Sequence, residues 1–127
     1  MTNTTAPTTD VATLVDTHLL AYAEPDAARR AELLARVWAD DGQLLDPPFE
    51  GTGIDAIAAL TDAVLEHFPA HAFRRTTTVD EHHGFARYGW ELVAPDGTVA
   101  VAGTDVAEVR DGRIVRIVGF FGELAAA

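Results

Sequence analysis

Three side chains have the type and setting to do chemistry. Asp105 lies in Val99-Ala100-Val101-Ala102-Gly103-Thr104-Asp105-Val106-Ala107, where alternation puts Val99, Val101, Gly103 and Asp105 on one strand face. If that face lines a pocket, Asp105 is a carboxyl among apolar groups, which desolvation would keep protonated and able to donate a hydrogen bond. If the face is exposed or lies at a dimer interface, Asp105 is a solvated carboxylate. Asp46 directly precedes Pro47-Pro48, which forces it into extended backbone at a strand end. A carboxylate there could serve as general base, or it could bond its own turn. His18 falls on the apolar stripe of a helix and should point inward, to donate a hydrogen bond or exchange a proton. It could equally be a core histidine bonded to a carbonyl.

The other histidines make no convincing metal site. His67 and His71 have helical ligand spacing, but Pro69 interrupts the helix between them. His82 and His83 are adjacent and would face opposite ways in a strand. No metal or other cofactor is expected. There is no phosphate-cradling glycine loop, no GxSxG and no cysteine nucleophile.

With 20 acidic and 9 basic residues, the chain carries a formal net charge of −11. Such a surface repels nucleic acid and anionic membrane, and it disfavours an anionic substrate. The absence of cysteine excludes disulfides and thiolate metal sites and is compatible with a reducing cytoplasm, the expected location. No apolar run approaches bilayer-spanning length. Residues 1–9 are Thr-rich, lack the features of a signal peptide, and read as a disordered lead-in. At 127 residues the chain suits one domain, spanning residues 10–124.

These candidates need elements to hold them. Val11, Leu14, Val15, His18, Leu19 and Tyr22 recur at helical steps. Glu24-Pro25-Asp26 breaks that helix, and Asp26 is placed to cap a second, whose apolar side is Leu33, Leu34, Val37 and Trp38. Asp40-Asp41-Gly42 reads as its end and a turn, with a short strand at Gln43–Asp46. A third helix follows Gly51-Thr52-Gly53, with Ile54, Ile57, Leu60, Thr61, Val64, Leu65 and Phe68 as its stripe and Pro69 as its stop. The second half reads as strands: 71–79, then 85–93, 98–109 and 113–121. Ala94-Pro95-Asp96-Gly97 and Asp111-Gly112 mark the last two turns. Helices first and a strand meander after them predict an α+β fold, with a curved antiparallel sheet enclosing an apolar pocket.

Val37-Trp38-Ala39-Asp40-Asp41-Gly42, Leu45-Asp46-Pro47, Gly103-Thr104-Asp105, Asp111-Gly112-Arg113-Ile114 and Phe120-Phe121-Gly122-Glu123 together resemble the NTF2-like superfamily, in its SnoaL-like and ketosteroid isomerase branches. The resemblance implies a cone of three N-terminal helices packed on the sheet. It implies Asp46 as general base and Asp105 as a protonated oxyanion donor, the pattern for which ketosteroid isomerase is a standard example. His18 falls at or beside the family's oxyanion tyrosine, with Tyr22 one turn on. The implied pocket is lined by Tyr22, Trp38, Phe49, Leu60, Phe68, Trp90, Val101, Gly103, Ile117, Gly119 and Phe121. The implied partners are a small hydrophobic carbonyl compound and a second copy of the chain, docked through the sheet. Two alternatives stand beside an isomerase: a SnoaL-like polyketide cyclase and a non-catalytic small-molecule-binding protein. Epoxide hydrolase-like relatives want an aspartate beside Arg87 and, like the cyclases, an acid on the last strand. Neither residue is present.

Overall fold

The computed structural model describes residues 10–127; the lead-in expected at 1–9 lies outside the described residues. Helix α1 (Val11–Ala21) starts where Asp10 accepts a hydrogen bond from the Thr13 N–H at 2.8 Å. Helix α2 (Ala27–Val37) starts where Asp26 accepts from the Ala28 N–H at 2.9 Å. The chain then enters strand β1 (Trp38–Asp46) without a break, turns through Pro47-Pro48 into β2 (Phe49–Thr52), and forms helix α3 (Ile54–His67). Strands β3 (Ala72–Arg75), β4 (Asp80–His82), β5 (Phe85–Val93), β6 (Val99–Arg110) and β7 (Arg113–Phe121) complete it.

Contrary to the expectation of three N-terminal helices, α3 follows β1 and β2. Nor is the sheet purely antiparallel. Its order is β2-β1-β7-β6-β5-β3, with β4 also on β5, and β1 runs parallel to β7. A crossover this long lets β1 and β7 lie side by side in the same direction. Asp40-Asp41-Gly42 does not end α2. It lies inside β1, where the register to β7 shifts between Trp38 and Gln43. Gly42 is required there because a Cβ would run into the Trp38 ring. The expected 71–79 strand divides into β3 and β4. Between them Thr76 and Thr77 fold over Gly89, whose N–H donates to Thr77 Oγ1 at 2.9 Å.

The core forms between the helices and the inner face of the sheet. Leu14, Val15, Leu34, Trp38, Ile57, Tyr88, Ile114 and Ile117 are each at most 2% exposed. Each buried aliphatic of this size contributes roughly 1.5–3 kcal/mol relative to exposure. Helix α3 is more peripheral than its stripe suggests: only Ile57 and Thr61 are fully buried. The apolar pocket expected in the interior is largely absent, because aromatic side chains fill that space. His18, Tyr22, Phe73, Trp90 and Phe121 stack edge-to-face in a chain, with centroid separations from 4.7 to 5.8 Å. Among the described residues no helix is long and apolar enough to cross a membrane.

Candidate active site

Asp46 ends β1 and Asp105 sits in the middle of β6, with β7 between them. Asp105 is paired with Gly119 across β6 and β7, and the parallel β1–β7 register (Leu44 to Ile117, Leu45 to Val118) carries Asp46 to the other side of the same glycine. A Cβ on Gly119 would run into Asp46 Oδ1 and would lie 3.0 Å from Asp105 Oδ1. The two carboxyl groups therefore occupy the space where a side chain would have been.

Their surroundings differ. Asp105 is 6% exposed. Its Oδ2 accepts from the Tyr88 hydroxyl and its Oδ1 from the Trp90 indole N–H, each at 2.9 Å. Burial pushes its carboxyl up to about 7; the Asp46 charge adds to the rise, and the Tyr88 and Trp90 hydrogen bonds oppose it. Asp46 Oδ1 is buried with no hydrogen-bond donor. Burial pushes this carboxyl up to about 6.

His18 is 2% exposed, and its Nδ1 accepts from the Trp38 indole N–H at 3.1 Å. That bond places the imidazole proton on Nε2 in the neutral ring. Burial lowers the histidine to about 4, so the ring is neutral at physiological pH. Burial first, then the charges of Asp46 and Asp105, push the Tyr22 phenol far up, which keeps it a neutral donor.

A cavity of about 10 Å³ lies among His18, Tyr22, Asp46, Phe73, Trp90 and Asp105. That is the room of about one oxygen-sized atom or one water molecule. Asp46 and Trp90 also border an open groove of about 1400 Å³, reached by Phe49, Gly103, Gly119 and Phe121. Trp90 can lie across Gly103 because a Cβ there would meet its indole ring.

The structure thus brings Asp46, Asp105, His18, Tyr22 and Trp90 around one cavity, with Gly119 beneath the carboxyls. Phe49, Gly103 and Phe121 reach the groove. Trp38 is a core residue that touches the site only through His18. Leu60, Phe68, Val101 and Ile117 border neither space: Leu60 packs by Gly51, Phe68 caps α3, Val101 packs on the core and Ile117 lies within it. Tyr88, which holds Asp105, was not singled out from the sequence. Among the described residues no cluster of three or more His, Cys, Asp or Glu is placed to hold a metal ion.

The SnoaL-like domain family matches residues 19–117. No curated protein matches. Among solved structures, a protein from Agrobacterium tumefaciens, provisionally named an isomerase of the SnoaL-like family, is 37% identical with a TM-score of 0.82, covering 88% of this chain and 97% of its own. A ketosteroid isomerase, also so named provisionally, from Kribbella flavida is 19% identical (TM-score 0.65, covering 90% and 78%). A provisionally named SnoaL-like polyketide cyclase from Jannaschia sp. CCS1 is 16% identical (TM-score 0.64, covering 85% and 84%). The last two share the fold. The match across residues 19–117, on a cone of helices and mixed sheet, makes this chain a member of the SnoaL-like family within the NTF2-like fold.

Proposed function

We propose that the protein is an isomerase that shifts a double bond by removing a proton alpha to a carbonyl, with Asp46 as general base. The observation that carries this reading is the convergence of two carboxyl groups over Gly119, one on a residue that borders the groove and carrying a buried oxygen with no donor, the other anchored in the interior. The substrate lies in the groove with its alpha carbon at Asp46. The C–H bond breaks, an O–H bond forms on Asp46, and the electron pair moves to the carbonyl oxygen. Asp105 in its protonated form donates a hydrogen bond to that oxygen, and the His18 Nε2–H and the Tyr22 hydroxyl are further donors. A one-atom cavity lined by these groups has the size of a carbonyl oxygen. Asp46 then returns its proton at the gamma carbon, and no net charge remains.

The substrate is apolar and not anionic. The groove carries Asp46, Glu50, Glu91 and Glu123 but no lysine, arginine or histidine. The isomerase name of the 37% identical relative agrees with this reading. A second reading is a cyclase, which would use the same enolate to close a ring. A groove of about 1400 Å³ favours it, having room for a polycyclic substrate.

The test is turnover of a Δ5-3-ketosteroid and of a simpler β,γ-enone, followed by the absorbance of the conjugated product. The intact protein should convert at least one of them and Asp46→Asn should not. Equal conversion by both would end the role of Asp46.

A further inference from the structure

Asp46 and Asp105 reach one point from two strands that do not touch, and they do so because the strand between them has no side chain there. Gly119 does not have the positive φ that would itself call for glycine. Its requirement is steric: the Asp46 and Asp105 oxygens fill the Cβ position. Among the described residues, no lysine or arginine lines the cavity around them. The groups facing the pair are His18 from α1, Tyr22 at the C-cap of that helix, Phe73 from β3, and Tyr88 and Trp90 from β5. The Asp16–Arg75 ion pair joining α1 to β3 acts on Tyr88 and is matched within itself. Two like charges this close, shielded from water and without a counterion, cannot both be present without a large penalty.

We propose that Asp46 and Asp105 work as a single acid–base unit that holds one proton between them, and that Gly119 is the positioning residue that creates it. The inference rests on the reading of Asp46 as base and Asp105 as donor, and adds that neither acts independently. Burial assigns the proton. Asp105 is the deeper group, and its burial outweighs the opposing hydrogen bonds that it accepts from Tyr88 and Trp90, so it keeps the proton. Asp46 borders the groove and is only half-buried, so it stays ionised and ready to accept. When Asp46 takes the substrate proton, the pair becomes doubly protonated and neutral, and the new enolate faces two acids and no carboxylate. Returning the proton to carbon restores the starting state. The singly protonated pair is then the only active form, and catalysis should rise and fall with pH about that one state.

The test is a titration of the substrate-free protein with 13C-labelled aspartate carboxyls, read by NMR. The intact protein should show two coupled steps for the pair. In Asp105→Asn the Asp46 midpoint should fall by about one pH unit or more, a change of at least tenfold in proton affinity. In Asp46→Asn, the reciprocal variant, the Asp105 midpoint should fall in the same way. Gly119→Ala should push Asp46 toward the groove, lower its midpoint and weaken the coupling. Midpoints that stay put in both asparagine variants would overturn the shared proton, and unchanged midpoints in Gly119→Ala would overturn the part given to Gly119. No substrate is present, so absence of turnover with the tested enones leaves this result standing. Turnover that depends on Asp46, with uncoupled midpoints, would remove the unit and keep the base.

Discussion

Where α1 crosses the start of β1, a buried histidine meets a buried indole, and donor and acceptor are matched: Trp38 Nε1–H to His18 Nδ1. A few residues away along the same inner face, at Gly119, two carboxyl groups are buried together and Asp46 Oδ1 has no donor. Both regions place polar atoms in the interior; the second satisfies the Asp105 oxygens but not Asp46 Oδ1. A buried acceptor without a partner is a standing cost to stability. The carboxyl region borders the groove; the Trp38 region is sealed. The matched pair builds the scaffold, and the unmatched pair is where chemistry can occur.

The contrast can be broken by substitution. Asp46→Asn should lower turnover by about 10²- to 10⁴-fold, the usual loss when a general base is removed, measured as kcat on a β,γ-enone. Trp38→Phe strikes the other region. It leaves His18 Nδ1 buried without a donor and should cost about 1–3 kcal/mol in urea unfolding, while leaving Asp46 in place.

The pH dependence of stability sharpens the comparison, because the two regions pull in opposite directions. His18 is lowered from 6.5 to about 4 in the folded chain, which binds fewer protons there than the unfolded chain across that window. This makes stability rise with pH between about 4 and 6.5, and fall again on acidification. Asp46 and Asp105 are raised from 3.8 to about 6 and about 7, so the folded chain binds more protons at these sites. Their contribution is present at low pH and is lost as pH rises through those values. Replacing both aspartates by asparagine should therefore raise Tm at pH 8 relative to the parent, leave it nearly unchanged at pH 4, and leave the opposite, histidine-driven slope between. The Asp46 share is on the order of 1–2 kcal/mol, because solvent at its half-buried carboxyl moderates the shift. The smallest effect belongs to a site in neither region. The Arg87–Asp80 pair is exposed on both sides (73% and 61%), so Arg87→Ala should change stability by no more than about 0.5 kcal/mol.

The local parts of this fold were legible in the sequence because their signals are local. Asp10 and Asp26 cap their helices, though only Asp26 was read as a cap. The Asp111-Gly112 turn was read directly, and both residues have positive φ, as a tight hairpin turn requires. The parallel β1–β7 pairing was not legible, because no short-range pattern records which strand returns beside another. Tyr88 escaped for a related reason. Counting back from the Ala94–Gly97 turn without a bulge sets Tyr88 opposite Thr104; the irregularity between Leu92 and Val93 shifts it to Asp105. Asp46 and Asp105 were singled out from their own stretches of sequence, and the family resemblance gave them roles and added Gly119. That the two carboxyls meet over Gly119 depends on three strands at once, which no single stretch of sequence encodes.

The most direct measurement of the central claim is the exchange of a ketone's alpha protons for deuterium, followed by proton NMR in heavy water with a β,γ-enone and the intact protein or Asp46→Asn. It reads removal of the proton itself, whether the product is an isomer or a closed ring. The account predicts exchange well above the protein-free rate with the intact chain, and loss of most of that excess in Asp46→Asn, with its Tm at neutral pH maintained or raised. Equal exchange by the two proteins would contradict it.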